Sequence, residues 1–210
     1  MQLSLDHLAC RRAGRLVFTG LTVSLGAGEA LLVTGRNGAG KSTLLAAIAG
    51  LLRPAEGRIT LAGTGERSRP ECVHHLGHRD GLKPSLTAAE NLAFAAAVLG
   101  SAGIAPGQAL AKLGIGAAAG LPVGYLSAGQ RRRVMLGRLL VARRPVWLLD
   151  EPTTALDREG RAVLFDLLDA HLAEGGLLVA ATHAPLPIPG ARELSLSPPP
   201  PAPPSPDDLP

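Results

Sequence analysis

Gly35-Arg36-Asn37-Gly38-Ala39-Gly40-Lys41-Ser42-Thr43 fits the pattern G-x-x-x-x-G-K-[ST], a turn whose backbone N–H groups point at a polyphosphate ahead of a helix N-terminus. Its flanks supply the context such a turn needs. Ala30-Leu-Leu-Val-Thr34 reads as a short buried strand, and residues 42–52 read as an apolar helix ended by Arg53-Pro54. Gly38, Ala39 and Gly40 are small enough for the backbone to wrap phosphates. Lys41 is placed to reach the β- and γ-phosphates, and the Ser42 hydroxyl to reach Mg²⁺. The whole run from Gly35 to Thr43 is therefore a candidate nucleotide cradle.

Working outward, an apolar strand over 146–149 runs into Asp150-Glu151-Pro152. At its end Asp150 can hold the Mg²⁺ shell and Glu151 can accept a proton from an attacking water. Leu126-Ser127-Ala128-Gly129-Gln130 precedes a helix expected over 130–142, so a hydroxyl and free N–H groups face outward at a positive helix end, a second phosphate-binding surface. Further strands are expected over 73–77 and 177–181 and an amphipathic helix over 158–174, stopped by Gly175-Gly176. Leu86-Thr87-Ala-Ala-Glu90 has a capping-box arrangement opening a helix to residue 99. Short helices follow in the Gly- and Ala-rich stretch 100–124. Residues up to about 28 alternate at strand spacing, which predicts antiparallel strands at the domain's edge. The expected architecture is α/β: a P-loop core with a parallel sheet, an N-terminal antiparallel β subdomain and a short helical subdomain inserted at about 79–135.

The 210 residues suit one domain over 1–196, followed by a proline-rich tail over 197–210 whose composition cannot make a packed core. The chain is 46% apolar, with no uninterrupted apolar stretch near the roughly 20 residues a membrane crossing needs. The N-terminus enters the first strand pattern without the regions of a signal peptide, which predicts a cytoplasmic protein. Cys10 and Cys72 lack any ligand spacing and read as reduced thiols. His74-His75-x-x-His78 is set aside as a metal or heme ligand group, because His74 and His75 point to opposite faces of a strand. The net charge of +4 carries little diagnosis, and Arg131-Arg132-Arg133 is expected to form a solvated or interface-facing basic patch rather than a nucleic-acid site.

The order of these motifs resembles the ATP-binding subunits of ABC transporters over nearly the whole chain. Leu126-Ser-Ala-Gly-Gln-Arg-Arg-Arg133 and Leu76-Gly-His-Arg-Asp-Gly-Leu-Lys-Pro-Ser-Leu-Thr-Ala-Ala-Glu-Asn-Leu92 make it most similar to the heme exporter ATPases of cytochrome c maturation. The resemblance implies ATP and Mg²⁺ as ligands and an ATP-sandwich homodimer. In that dimer Ser127, Ala128, Gly129 and Gln130 close over the γ-phosphate held by the other subunit, and the 153–157 loop touches the partner. It implies that His183 contacts the γ-phosphate and positions the catalytic water, beside Glu151 and Lys41. It also implies integral membrane partners at the cytoplasmic face of the bacterial inner membrane, and release of a heme chaperone. The family pattern has Gly where Ala128 stands, and Gln where Arg79 aligns best; a guanidinium cannot ligate Mg²⁺. No tyrosine precedes the P-loop to stack on adenine, and Arg11, Arg12 and Arg15 occupy that region with Phe18. The competing readings are a transporter ATPase for another cargo and a soluble ABC ATPase acting on nucleic acid or ribosomes. The single ATPase domain and short insertion speak against the latter.

Overall fold

The computed structural model describes residues 1–100 and 102–197. In chain order the first elements are β1 (Gln2–Arg12), β2 (Arg15–Gly26), β3 (Ala30–Thr34), α1 (Lys41–Ile48), β4 (Glu56–Ala62), α2 (Arg69–Cys72) and β5 (Val73–Leu76). They are followed by α3 (Ala88–Leu99), α4 (Pro106–Lys112), two short 3₁₀ turns, α5 (Ala128–Val141), β6 (Val146–Asp150), α6 (Arg158–Ala173), β7 (Leu177–Ala181) and β8 (Arg192–Ser195). The proline-rich segment from 198 onward lies outside the described residues.

Two sheets result. One is antiparallel, in the order β2-β1-β4, and the other is parallel throughout, in the order β5-β6-β7-β3-β8. Strands β6 and β7 are buried at every residue, as expected where both faces of a parallel sheet are covered. Their side chains alternate between two cores. Val146, Leu148, Leu177, Val179, Leu31 and Val33 face α1 and the antiparallel sheet. Trp147, Leu149, Leu178, Ala180 and Leu32 face the helices α3 to α6. The period-2 alternation of a strand thus joins both layers through one sheet.

This arrangement sends four loops from the same edge of the sheet. Thr34 leads into the P-loop, Leu76 into His78, Asp150 into Glu151, and Ala181 into His183. The carboxyl edge of a parallel sheet is where open α/β folds bind ligands.

Several boundaries differ from the sequence reading. Helix α1 stops at Ile48 rather than near residue 52, because Gly50 adopts φ 81. Around it Leu51 N–H donates to Ala46 O (2.9 Å) and Gly50 N–H to Ala47 O (3.1 Å), the paired bonds of a left-handed helix end. Helix α5 begins at Ala128, two residues earlier than expected, because the Ser127 hydroxyl accepts Gln130 N–H and caps the helix there. Strands β4 and β8 were not anticipated; each lies at the edge of its sheet and is largely exposed or half-buried.

His74 lies inside, 2% exposed, with Nε2 2.6 Å from the Ala142 carbonyl oxygen, to which it donates in the neutral ring. Burial pushes its pKa down from 6.5 to about 4, and burial lowers those of His75 and His171 in the same direction. Between those two values the unfolded chain binds a proton at His74 that the native protein refuses. Stability therefore falls as pH drops from 6.5 towards 4, by about 3 kcal/mol when fully developed. Thermal melts across this window are expected to show that loss, and His74→Gln, which keeps a donor without a titrating ring, to flatten part of it.

Candidate active site

The P-loop is shaped by contacts that only glycine tolerates. Gly35 has φ 135, and a Cβ there would lie 2.3 Å from the Leu196 carbonyl oxygen; at Gly40, φ 103, it would lie 2.4 Å from Val17 Cγ1. The loop is thereby seated between β2 and the chain leaving β8. Gly40 is also the N-cap of α1 and offers no side-chain acceptor, so the first-turn N–H groups face the cleft without an internal cap.

The cleft in front of them has a volume of about 660 Å³. Asn37, Gly38, Gly40, Lys41, Ser42 and Thr43 form one wall, and Asp150, Glu151 and His183 stand opposite. Asp150 is the last residue of β6 and is only 5% exposed. A serine hydroxyl and a carboxylate are hard oxygen donors of the kind Mg²⁺ prefers, so Ser42 and Asp150 fit that ion chemically.

Three of the predicted residues form one connected cluster. The Lys41 ammonium donates to Gly35 O at 2.7 Å and lies 3.3 Å from His183 Nε2. The same nitrogen is 3.2 Å from Glu151 Oε1, and Glu151 Oε2 accepts the His183 backbone N–H at 3.3 Å. Nε2 can accept from Lys41 or donate to Glu151, but not both at once. The Oε1 contact is within ion-pair distance without hydrogen-bond geometry, so this buried oxygen has no donor among the described residues. An unpaired buried acceptor on a residue that lines the cleft, beside a lysine and an imidazole, is a candidate to take a proton.

Glu151 is held in an unusual backbone conformation, φ 47, in the left-handed region that non-glycine residues rarely enter. Arg132 holds it there. This buried side chain on α5 donates through Nη2 to Asp150 O (3.0 Å) and Glu151 O (2.7 Å), and weakly through Nε to Pro152 O (3.4 Å). Burial lowers the Arg132 pKa, opposed by the Asp150 and Glu151 carboxylates. Its neighbour Arg133 donates to Asp157 Oδ1 (2.6 Å) and Leu113 O (3.2 Å). The solvated patch expected of Arg131-Arg132-Arg133 is therefore corrected: two of the three guanidinium groups are structural donors inside the protein, at 9% and 7% exposure.

Ser127, Ala128, Gly129 and Gln130 are not brought to this cleft. They form the N-terminus of α5, where Gln130 N–H donates to Ser127 Oγ (3.1 Å) and Ser127 N–H to Gln130 Oε1 (2.9 Å). Ser127 and Ala128 are exposed. One chain thus carries two candidate phosphate surfaces facing separate spaces.

Sequence reasoning missed His78. Arg79 was matched to the family's glutamine, yet it is His78 that lines the cleft, with Arg12, Val17 and Thr154. An available signal was its offset: His78 stands two residues past the end of β5, as His183 stands two past β7. Of the arginines near the base end Arg12 lines the cleft, while Phe18 is buried in the core at 3% exposure.

A P-loop after an inner strand of a parallel sheet, with acids and a histidine on the ends of the next two strands and a capped motif helix alongside, defines an ABC-type ATPase. Residues 18–154 match the ABC transporter family. The chain is 49% identical over 204 residues to the cytochrome c biogenesis ATP-binding export protein CcmA of Agrobacterium fabrum (strain C58), covering 94% of this chain and 96% of the relative. It is 56% identical over 197 residues to the protein of that name from Rhodopseudomonas palustris (strain BisB18), covering 93% and 98%. Among solved structures, an ABC transporter ATP-binding protein from Pyrococcus furiosus shares the fold with a TM-score of 0.81 at 22% identity, over 93% of this chain and 98% of that one. The dimeric post-hydrolysis state of the ATP-binding cassette MJ0796, bound to ADP and Pi, matches with a TM-score of 0.73 at 23% identity, over 87% and 88%. The chain belongs to the ABC transporter family and, within it, to the CcmA group of ATP-binding export proteins.

Replacing Arg132 by Met keeps bulk but removes the donors beneath Glu151. The expected loss of folding stability is about 2 kcal/mol, read by urea denaturation, together with a fall in ATP turnover larger than any change in nucleotide affinity.

Proposed function

We propose that this protein is the ATP-hydrolysing subunit of a membrane export complex in c-type cytochrome biogenesis, of the heme exporter type, driving release of the heme chaperone. The observation that carries the ATPase half of this reading is the joined cluster of Lys41, His183 and Glu151 at the carboxyl edge of the sheet. The 47–56% identity to CcmA relatives over nearly the whole chain supports the biogenesis half.

In this reading Gly35 to Thr43 cradle the triphosphate of ATP, and binding draws Lys41 from Gly35 O and His183 onto the β- and γ-phosphates. Ser42 and Asp150 hold Mg²⁺, which supplies charge neutralisation on the phosphate oxygens. Glu151 takes the proton of the attacking water through its unpaired oxygen, and His183 orients that water against the γ-phosphate. Ser127, Ala128, Gly129 and Gln130 complete the site of a second copy, which explains why they stand outside their own chain's cleft. A homodimer with two composite sites follows, and the dimeric form of MJ0796 supports it.

No helix among the described residues is long and apolar enough to cross a membrane. Integral membrane subunits would therefore anchor the ATPase peripherally, at the cytoplasmic face of the inner membrane. An apolar strip on the helical subdomain supports such docking: Phe94 and Val98, four residues apart on α3, are 53% and 65% exposed, and Leu121 is 50% exposed. The burial of Arg132 and Arg133 removes most of the basic run that had suggested nucleic acid.

Glu151→Gln is expected to bind ATP, accumulate as an ATP-bound dimer and lose at least about a hundredfold in turnover, measured by phosphate release and sedimentation. The biological assignment is tested in a deletion strain of the source organism, by heme staining of c-type cytochromes. Their loss, with restoration by wild type and not by Lys41→Ala, is the expected result; unchanged cytochromes would assign the ATPase to another cargo.

A further inference from the structure

The one tyrosine of the chain stands in an unusual place. Tyr125 ends the second 3₁₀ turn (Val123–Tyr125), two residues before Ser127, and its 84% exposure is the highest of any large apolar side chain among the described residues. The backbone beneath it is fully tied. Val123 N–H donates to Leu86 O (2.9 Å), Gly124 N–H to Pro84 O (2.9 Å), Tyr125 N–H to Pro122 O (3.0 Å) and Leu126 N–H to Val123 O (3.1 Å). On either side Val123 and Leu126 are buried, at 1% and 4% exposure. A rigid frame therefore holds an aromatic ring in water beside a candidate phosphate surface.

The cleft has the complementary deficiency. Its P-loop wall is built for phosphates, but where a base would lie it presents Arg12 and Val17, and Phe18 is turned into the core. Among the described residues no Phe, Tyr or Trp lines the cleft, whose only aromatic rings are the imidazoles of His78 and His183, and His183 stands at the Lys41 and Glu151 end.

We propose that Tyr125 supplies that face in trans, stacking on the base of the nucleotide held by a second copy of this chain. The inference rests on the ATP-sandwich dimer of the preceding subsection. With Ser127 of one copy on the γ-phosphate of the other's nucleotide, Tyr125 is anchored within about 7 Å of backbone from that contact. Both Tyr125 and Ser127 are exposed. Stacking on an aromatic side chain tolerates any base, because every base has a π-face. The subsite therefore recognises a nucleotide as such and separates ATP poorly from GTP. Two such contacts per dimer make dimerisation, rather than the first binding event, the step that gains from the presence of a base.

The test uses the full chain carrying Glu151→Gln, with dimer formation followed by sedimentation during titration with ATP or GTP. Adding Tyr125→Ala is expected to raise the nucleotide concentration for half-dimerisation roughly tenfold with both nucleotides, while Tyr125→Phe restores the parent's value. Binding of a fluorescent ATP analogue to dilute monomers should be the same in all three, and melting temperatures should match because the ring is exposed. If the Glu151→Gln parent fails to dimerise with ATP, the sandwich reading and this inference fall together. If the parent dimerises and Tyr125→Ala does so at the same concentration, the inference alone is overturned. Weaker binding by Tyr125→Ala monomers would overturn the trans assignment by placing the ring in its own subunit's site. Unaltered dimerisation with lost cytochrome maturation would instead put Tyr125 on the membrane partner.

Discussion

The guanidinium of Arg132, donating to the carbonyl oxygens of Asp150 and Glu151, is the interaction on which the rest of the site depends. Glu151 at φ 47 carries a backbone strain that costs of order 1–3 kcal/mol, and such a conformation persists only where the surroundings over-determine it. Two constraints meet here. From the sheet side, Glu151 N–H donates to Ala181 O at 2.8 Å, continuing the β6–β7 ladder one residue past the strand. From the helix side, Arg132 donates to the Asp150 and Glu151 carbonyls, the second of which also accepts Thr154 N–H at 3.2 Å within the turn. A left-handed turn immediately after the strand lifts the Glu151 carboxylate towards His183 and keeps Asp150 within the cleft.

The same interaction is one of the polar links that join the helical subdomain to the sheet. Arg132 stands on α5, five residues after Ser127, so the helix presenting the second phosphate surface is the helix that grips the Glu151 turn. Arg133 extends the connection, tying Leu113 of the helical subdomain to Asp157, whose carboxylate caps α6 through Gly160 N–H. A displacement of α5 would be felt directly as a change in the carbonyls beneath Glu151. Packed polar networks of this kind have discrete arrangements rather than a continuum. Ser127 and the Glu151 turn are thus joined through α5 by a route that does not include the P-loop.

How much of this was legible in the sequence follows from where each signal originates. The buried strands β3, β6 and β7 are short uninterrupted apolar runs that end in residues with their own chemistry, so composition and motif agreed on their place. The Thr87–Glu90 box fixed the start of α3 because capping is local chemistry between residues three apart. Strands β4 and β8 were hidden because neither has a buried residue: β4 shows only Ile59 and Leu61 at alternate half-buried positions and β8 only Leu194, whereas the edge strands β2 and β5 carry longer apolar patterns and were legible. The turn of Arg132 and Arg133 into the protein was also hidden. Three consecutive arginines on a helix look alike in sequence, but successive residues point about 100° apart, and only the position of the β6 turn decides which are buried. His78 was passed over for its neighbour for a similar reason: a resemblance carried in a loop fixes which segment approaches the cleft, but one residue of offset decides which side chain enters it.

The incompleteness of the cleft then has a physical origin rather than being a gap in the fold. A helix N-terminus that caps itself through Ser127 and Gln130 while leaving Ser127 and Ala128 exposed is satisfied internally and remains available externally. Moving it onto its own P-loop would require pulling α5 away from the Glu151 turn and breaking the Arg132 bonds that position the acid. The two requirements, a clamped acid and a closable second surface, are mutually exclusive within one chain and compatible between two. In the proposed ATP-sandwich dimer symmetric pairing would satisfy both at once, with each Ser127 at the other copy's phosphates and each Arg132 still beneath its own Glu151.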